Sequence, residues 1–328
     1  MGLLLGLLLA LPSAVVAPAR ARPGDAVLVL VLDASTLPSG ALAGRPLHFW
    51  SGGEGRWLAV APLPTEARPG PATVEVTADG LPFAPPLELT PPGFASTTLS
   101  VPPRFLEPPP AARRRMALDQ AELKKAWDQP FGPPLFSGPL TVPLDVDPSA
   151  RFGDQRVYNG KTAGVHYGLD LPGATGEPVA AAGDGTVVMA RDCYMSGQTI
   201  ILWHGAGVFT AYFHLSRMGV EVGEAVKHRQ LIGRVGSTGR STGPHLHWGV
   251  KVDGLWVDPR SAQRLDLASG EVSASPELPE PGPPGLVTPP SLPAPPPPSA
   301  DGAGAQPEAG QGVPQAARRA RRGPDPLR

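Results

Sequence analysis

Short apolar runs separated by turn residues dominate the N-terminal third of the chain. Residues Thr73–Thr77 alternate between polar and apolar side chains, which is the pattern of a half-buried strand. Turn signals such as Asp79-Gly80 separate the runs. The runs predict strands at Ala26–Leu32, Leu47–Trp50, Trp57–Ala61, Ala72–Thr77 and Thr97–Val101. Because no helical stretch lies between them, they predict a small β-sandwich-like accessory domain over residues 22–105.

One helix separates this region from a second β-rich region. Residues Arg113–Asp128 form the best helical stretch of the chain. Its apolar side chains near one face are Met116, Leu123 and Trp127. The helix and the Pro-rich residues after it are predicted to form a linker over residues 106–150, and residues 151–267 are predicted to form the second domain. In that domain, short apolar runs predict strands at Val179–Ala182, Thr186–Ala190, Thr199–Trp203, Val208–Phe213, Leu231–Val235 and Leu246–Val252.

The N-terminus has the pattern of an export signal. Residues Met1–Ala17 are almost wholly apolar, and Ala19-Arg20-Ala21 fits the small-x-small cleavage pattern. We therefore predict a signal peptide over residues 1–21 and export to the periplasm or cell envelope. An uncleaved membrane anchor is the alternative, although the apolar run is at the short limit for a span of about 20 residues. No other segment is long and apolar enough to cross a membrane, so no membrane span is expected after cleavage.

Composition and charge narrow the class of protein. Gly and Pro contribute 40 and 45 of the 328 residues, which disfavours helix bundles. Pro, Ala and Gly are concentrated after Glu271, so residues 268–328 are predicted to form a disordered tail. The 28 Lys+Arg balance 29 Asp+Glu, which disfavours a nucleic-acid partner. Cys193 is the only cysteine, which excludes an internal disulfide framework and a thiolate-based structural zinc site.

Five residues of the second β-rich region carry candidate chemistry. His166 and Asp170 form an H-x-x-x-D unit, His245 and His247 form an H-x-H unit, and His214 lies between the two units. An H-x-H unit on a strand places both imidazoles on one face, because strand side chains repeat every two residues. Two histidines, one aspartate and a water form a catalytic zinc arrangement. The chain has no H-E-x-x-H, which excludes the helical zincin site.

These motifs resemble the lysostaphin- and LytM-type zinc endopeptidases of bacterial cell walls. The resemblance covers residues Arg151–Arg260, roughly a third of the chain. It rests on three motifs in order, together with a hairpin and its internal repeat. The matching segments are Arg151-Phe152-Gly153, His166–Asp170, Gly176–Ala190, Val220–Gly236 and Gly236–His247. The sequence departs from the family at Gln198, Lys227-His228-Arg229 and Trp248, and none of these is a proposed ligand.

The resemblance implies a fold and a site. The fold is mostly β, with a groove above the metal that suits an extended peptide. One zinc ion per peptidase domain would be bound by His166, Asp170 and His247, and His214 and His245 would be the catalytic pair beside it. The implied reaction is hydrolysis of peptide crosslinks in peptidoglycan. The sequence does not assign the separate roles of the two catalytic histidines.

Two other functions compete with that of an active enzyme. A non-catalytic activator or binder of cell-wall amidases would keep the groove without using the metal, and its partners would be an amidase or divisome proteins. A latent enzyme would be inhibited by the N-terminal domain, which the Pro-rich connector Gly132–Pro148 would link to the second domain. A biotinyl-lipoyl carrier is disfavoured, because Gly183-Asp184-Gly185 lacks a modifiable lysine. His48, His204 and His228 are interpreted as structural, and Tyr212 as a residue that either packs or reaches the site.

Overall fold

The structure is a computed structural model that describes residues 11–99 and 108–273. The N-terminal strands are β1 (Ser13–Ala17), β2 (Arg20–Ala21), β3 (Ala26–Leu32), β4 (Ser39–Leu42), β5 (Arg45–Pro46), β6 (Trp50–Gly53), β7 (Arg56–Pro62), β8 (Gly70–Ala72), β9 (Val74–Ala78), β10 (Leu81–Phe83), β11 (Leu87–Leu89) and β12 (Ser96–Leu99). Helix α1 (Pro110–Trp127) follows. The remaining elements are β13 (Gln155–Tyr158), β14 (Lys161–Val165), β15 (Leu169–Pro172), β16 (Pro178–Ala180), β17 (Gly185–Cys193), β18 (Gly197–Trp203), β19 (Val208–Leu215), β20 (Arg217–Met218), β21 (Ala225–Val226), β22 (Leu231–Arg234), β23 (His245–Val252), β24 (Leu255–Val257) and α2 (Pro259–Ala262). The prediction of a mostly β protein is confirmed.

The N-terminal strands form small sheets around a core of their own. One sheet has the order β1-β3-β7-β6, a second has the order β10-β9-β4-β5, and a third has the order β2-β11-β8. Strand β9 buries every second side chain, as its alternating sequence predicts. The core between the sheets consists mainly of Val, Leu and Ala side chains, among them Val27, Val29, Leu42, Ala59, Val74 and Val76.

Residues 13–21, predicted to belong to the leader, form part of this fold. Strand β1 pairs with β3 over five residues, and β2 pairs with β11. The side chains of Val16 and Ala21 are 3 % and 4 % exposed. A leader that ended at Ala21 would remove two strands and two core side chains, so the predicted boundary at residue 21 disagrees with the fold. The apolar centre of the predicted leader lies outside the described residues.

Two strand predictions for this region need correction. Residues 47–49 are not in a strand; β5 ends before them and β6 begins after them at Trp50. Leu47 and Phe49 are nevertheless buried, because an apolar run can fill a core from a loop as well as from a strand. Residues 97–99 of the segment predicted at Thr97–Val101 belong to β12, which does not complete the sandwich; residues 100 and 101 lie outside the described residues. Strand β12 pairs in parallel with β13, which belongs to the second domain.

The second domain is organised around a large antiparallel sheet with the strand order β15-β23-β19-β18-β17-β21, to which β24 adds beside β23. One face packs on the main hydrophobic core, which includes Leu171, Ile200, Tyr212, Leu246, Trp248 and Val250. Part of the opposite face packs on α1. The six predicted strands of this domain are present at β16, β17, β18, β19, β22 and β23, with bounds that differ by a few residues.

Helix α1 begins earlier than predicted and buries the predicted face, which carries Met116, Leu123 and Trp127. Pro110 occupies its first turn, where the missing N–H of proline costs no helical hydrogen bond. The buried side chains are Ala112, Asp119 and Ala126. Leu123 and Trp127 are half-buried against the sheet, and the Trp127 ring contacts the Phe209 and Trp256 rings edge-on. Polar Asp119 is buried because Arg191 and the backbone N–H of Tyr194 donate to its carboxylate.

The Pro-rich segment after α1, predicted as a connector, packs against the second domain. Phe136, Leu140 and Leu144 are buried in the main core. The N–H of Leu135 donates to the carbonyl of His204, and the N–H of Thr141 donates to that of Ala182. This segment therefore adds apolar surface to the domain. The predicted tail also starts later than residue 268, because Leu265 and Val272 form a β-bridge; residues 274–328 lie outside the described residues.

The two domains share the main core. Leu28, Trp50, Leu58 and Val60 of the N-terminal sheets belong to the same buried cluster as the second domain. Polar contacts add to this interface: the N–H of Asp258 donates to the carbonyl of Gly24, and the N–H of Ala26 donates to the Ser261 hydroxyl. Arg22 forms an ion pair with Asp258. No helix within residues 11–99 and 108–273 is long and apolar enough to cross a membrane.

Candidate metal centre

Two neighbouring strands of the large sheet place Asp170 and His247 side by side. Strands β15 and β23 are antiparallel, and Asp170 lies directly opposite His247 in their register. The residues that flank them along each strand are buried in the core: Leu169, Leu171, Leu246 and Trp248. Because strand side chains alternate, Asp170, His245 and His247 all project from the face opposite the core. The predicted same-face arrangement of the H-x-H unit is confirmed.

His166 completes the cluster from the loop between β14 and β15. Its Nε2 lies 2.9 Å from Oδ1 of Asp170 and 3.0 Å from Nδ1 of His247. Nδ1 of His247 lies 2.9 Å from the same Asp170 oxygen. Three atoms that can each bind a metal therefore converge on one point, and all three side chains are largely buried.

The hydrogen bonds around His166 indicate that this point suits a cation. Nδ1 of His166 lies 2.8 Å from the carbonyl oxygen of Arg151, which can only accept, so Nδ1 carries the proton. In the neutral imidazole Nε2 then has a lone pair, and it faces a carboxylate oxygen. A cation bound at this point, or a proton on Nδ1 of His247, which lies within 3.0 Å of both atoms, relieves this repulsion. Two imidazoles and a carboxylate are typical ligands of zinc. A backbone carbonyl that accepts from the other nitrogen of a ligand imidazole is also typical of zinc sites.

The electrostatics favour the ionised carboxylate of Asp170 and the neutral imidazole of His247, the forms that bind a metal. Burial by itself raises the pKa of the Asp170 carboxyl, but its contacts with the imidazoles of His166 and His247 hold that pKa well below the ordinary value. Burial lowers the pKa of His247, which favours the neutral imidazole. Nη2 of Arg156 lies 2.6 Å from the second oxygen of Asp170, so the guanidinium orients the carboxylate.

Gly168 is required by the packing of the His247 ring. A Cβ at residue 168 would lie 2.6 Å from Nε2 of His247 and 2.6 Å from the carbonyl oxygen of Trp248. One of these atoms is backbone and cannot move without disturbing β23. Gly168 therefore lets the ring lie flat against the loop that carries His166 and Asp170.

His214 reaches the site through an irregularity in β19. Tyr212 and Leu215 both face the core, whereas a regular strand would place them on opposite faces. The β18–β19 register is shifted between Gln198 and Ile200, and His214 has a φ of 63°. This is a β-bulge, which re-aims the His214 side chain toward the face that carries His245. The two rings are 4.9 Å apart between centroids.

Backbone carbonyls orient both of these histidines in the same way. Nδ1 of His214 lies 2.8 Å from the carbonyl oxygen of Thr238, and Nδ1 of His245 lies 2.9 Å from that of Gly243. Each Nδ1 must therefore donate, and each neutral ring keeps a lone pair on Nε2. Burial, with smaller contributions from the neighbouring imidazoles of His245 and His247, lowers the pKa of His214 to about 4. Nε2 of His245 lies 3.7 Å from Oδ1 of Asp170, next to the cluster.

An open pocket surrounds these five residues. Its rim adds Arg156 and Tyr158 from β13 and the loop residues Arg240, Ser241 and Thr242. The Arg240 guanidinium lies over the Tyr158 ring, with its carbon 4.5 Å from the ring centroid. The pocket thus exposes a potential metal site, two imidazoles and cationic side chains to one bound molecule.

The structure brings together all five residues that the sequence singled out, and it adds three that the sequence analysis did not select. Arg156 reaches the pocket only through tertiary folding, whereas Arg240 lies within the Gly236–His247 segment that carries the resemblance but was not selected as a site residue. Gly168 stands inside the H-x-x-x-D unit, where a glycine between two candidate ligands is the one available signal.

The other histidines and Tyr212 have different environments. His204 is fully buried, with Nδ1 2.7 Å from the carbonyl oxygen of Asp184 and Nε2 2.7 Å from the Thr210 hydroxyl. Tyr212 packs in the core, and its hydroxyl accepts from the N–H of Ala182. His48 and His228 are exposed, and neither lines the pocket.

Comparison with known proteins gives one family. A sequence model of peptidase family M23 matches residues 164–259. The chain is 41% identical over 127 residues to the peptidoglycan DD-endopeptidase ShyC of Vibrio cholerae. The aligned residues cover 38% of this chain and 29% of that protein. The chain is 40% identical over 97 residues to the DD-carboxypeptidase/endopeptidase Mpg of Neisseria meningitidis, covering 30% and 22%. The chain spans less than a third of the length of these curated relatives.

One solved structure is similar over most of the chain. It is the crystal structure of a peptidase M23 from Pseudomonas aeruginosa, with a TM-score of 0.56 and 28% sequence identity. The similarity covers 73% of this chain and 93% of that one. Because it extends beyond residues 164–259, the similarity also includes part of the fold outside the family match.

Proposed function

We propose that this chain, whose residues 164–259 match peptidase family M23, is a zinc-dependent endopeptidase that hydrolyses peptide crosslinks of peptidoglycan. The observation that carries the proposal is the convergence of His166 Nε2, Asp170 Oδ1 and His247 Nδ1 within 3.0 Å of one another. A set of three protein ligands in an open pocket leaves a coordination position for water or substrate, which distinguishes catalytic from structural zinc sites.

The residues around the cluster suit peptide hydrolysis. Zinc, when bound, supplies a Lewis acid that polarises the scissile carbonyl and lowers the pKa of a water molecule toward about 7. His214 and His245 then handle protons. Each has its Nδ1 proton directed at a backbone carbonyl, so the Nε2 atom of one of them accepts a proton from the attacking water and returns it to the leaving amine. The low pKa of His214 keeps this imidazole neutral, and therefore able to accept, at neutral pH.

The names of the relatives support the proposed substrate. One is named a peptidoglycan DD-endopeptidase and another a DD-carboxypeptidase/endopeptidase, so a peptide bond of peptidoglycan is the substrate we propose. The apolar N-terminus supports export to the periplasm or cell envelope, where this substrate lies. A cell-wall amidase and divisome proteins are the partners that the activator alternative requires.

Mass spectrometry of purified sacculi tests this function. Sacculi are incubated with the zinc-loaded protein, with the His214→Ala variant and with buffer, and new peptide ends are identified. The proposal predicts new ends with the wild-type protein only, and retention of zinc by His214→Ala, since His214 is not a ligand.

The alternatives give different results. Zinc binding by the full chain without new ends, and without stimulation of a separate amidase, would support a latent enzyme. If no new ends form but the protein binds sacculi and stimulates a separate amidase, the proposed enzyme is wrong and the chain is an activator.

A further inference from the structure

Arg240 lines the pocket, and within the described part of the chain it forms no ion pair with a carboxylate. Arg156 and Arg240 both line the pocket. The charge of Arg156 is balanced by Asp170, whose carboxylate is 2.6 Å away. Among residues 11–99 and 108–273, no aspartate or glutamate forms an ion pair with the Arg240 guanidinium. The charge of Arg240 is therefore available to a ligand.

The fold fixes the position of Arg240. The backbone N–H of Arg240 donates to the carbonyl oxygen of Met195 at 2.7 Å. The preceding Gly239 has a φ of 70° and packs against the backbone of Gly197 so closely that a Cβ would clash. Thr238 of the same loop accepts from Nδ1 of His214. The loop that orients a proposed catalytic histidine thus also sets the backbone of Arg240.

The side chain is also held in place. The Arg240 guanidinium lies over the Tyr158 ring, at 4.5 Å from its centroid, and cation–π stacking of this kind restricts a long side chain. Stacking leaves the edges of the planar guanidinium free, and those edges carry the N–H groups that bind a carboxylate through two parallel hydrogen bonds. The side chain is half-buried, which strengthens such a contact relative to an exposed one.

We propose that Arg240 is a specificity-determining residue that binds a free carboxylate of the substrate, on the residue whose amine is released. This inference rests on the proposed function and names its substrate class. A peptide crosslink joins a carbonyl of one peptide to a side-chain amine of another, so the residue with the amine can keep its own α-carboxylate beside the scissile bond. A crosslink of neutral glycines offers only carbonyl oxygens there and would not use the charge of Arg240.

The test compares two synthetic branched peptides that differ in one group. The residue that carries the leaving amine has a free α-carboxylate in one peptide and a carboxamide in the other. We expect the wild-type protein to cleave the carboxylate peptide with a kcat/KM at least about tenfold higher, given the strength of charge-assisted hydrogen bonds. Arg240→Gln should lose that preference by slowing on the carboxylate peptide alone, and Arg240→Lys should keep part of it.

Two controls separate specificity from structure. Arg217→Gln removes an exposed arginine of the same domain and should keep the full preference. Zinc content and the thermal unfolding midpoint of Arg240→Gln should match the wild type. Equal rates of the wild-type protein on both peptides would overturn the inference, and so would an equal loss of both rates in Arg240→Gln.

A binding measurement keeps the inference testable if the proposed function fails. If the zinc-loaded wild type cleaves neither peptide, calorimetry compares the binding of both peptides to wild type and Arg240→Gln. A carboxylate preference that disappears in Arg240→Gln would support the inference and contradict only the proposed hydrolysis. Equal affinities for the two peptides would overturn the inference itself.

Discussion

The N-terminal sheets and the large sheet of the peptidase domain are both built from short strands, but the strands differ in how regularly their side chains alternate between the two faces. Strand β9 of the N-terminal sheets alternates buried and exposed side chains along its whole length. Strand β19 of the peptidase domain is buried along almost its whole length, and a bulge in it turns His214 toward the pocket. Regular strands therefore build the N-terminal core and also place Asp170, His245 and His247, whereas His214 reaches the candidate site only through an irregularity.

The largest effect is expected from removing a proposed zinc ligand of the peptidase domain, compared with a histidine of the N-terminal domain. His247→Ala should abolish stoichiometric zinc binding and reduce hydrolysis of sacculi by at least about 10³-fold, because several kcal/mol of transition-state stabilisation depend on the metal. Metal analysis and product counting by mass spectrometry measure both effects. The matched variant His48→Ala changes an exposed histidine of the N-terminal domain and should alter neither. Normal zinc content in His247→Ala would contradict the assignment.

The second test asks whether the two domains unfold together or independently. Leu28 is fully buried in the core that both domains share, so Leu28→Ala should lower the free energy of unfolding by about 2–5 kcal/mol. The shared core predicts one cooperative transition, followed in denaturant by circular dichroism and tryptophan fluorescence. Leu37→Ala, at an exposed position of the same domain, should have little effect. Two transitions, with only the first shifted, would show that the domains unfold independently.

A third test uses the buried His204 of the peptidase domain. Burial lowers its pKa to about 4 in the folded protein, so the unfolded chain takes up a proton that the folded protein does not. Above about pH 6.5 the imidazole is neutral in both states and does not lower the free energy of unfolding. As the pH falls from about 6.5 toward 4, protonation of the unfolded chain lowers that free energy by about 3 kcal/mol in total. His204→Gln should remove this part of the acid sensitivity, measured by denaturation at several pH values. The exposed His228→Gln is the control, and an unchanged pH profile in His204→Gln would refute the explanation.

The smallest expected effect concerns the orientation of a proposed ligand. Arg156→Gln removes the contact with Asp170 and should weaken zinc affinity by about 10- to 100-fold, the usual loss for outer partners of metal ligands. Arg156→Lys should recover part of the affinity. Competition with a chelating dye measures it. Arg191→Gln breaks an arginine–aspartate pair at α1 instead, and an equal loss of affinity there would mean that Arg156 acts only through overall stability.

Local pattern predicted most of the peptidase strands and the face shared by His245 and His247, because strand period and turn chemistry are encoded by adjacent residues. It did not predict the bulge at His214, whose φ is set by packing between β18 and β19. It also assigned residues 13–21 to a leader on their apolar composition, since a strand of a sandwich and the end of a signal have similar residues. The pairing of β1 with β3 distinguishes them.

The Pro-rich segment before the peptidase domain teaches a related lesson. Its composition predicted a connector, yet Phe136 and Leu140 are buried in the main core. Proline removes hydrogen-bond donors but does not prevent the apolar residues between prolines from packing. Arg156 had no signal in the sequence, because its position in the pocket depends on contacts between residues distant in the chain. Arg240 lies in the Gly236–His247 motif, but the motif does not show that its side chain stacks on Tyr158.

Anomalous diffraction at the zinc absorption edge, from crystals of the zinc-loaded protein, tests the central claim most directly. The account predicts one peak at the point where His166 Nε2, Asp170 Oδ1 and His247 Nδ1 converge, at about 2.0–2.2 Å from each atom. A peak held by His214 and His245 instead, or no peak in the pocket, would contradict it.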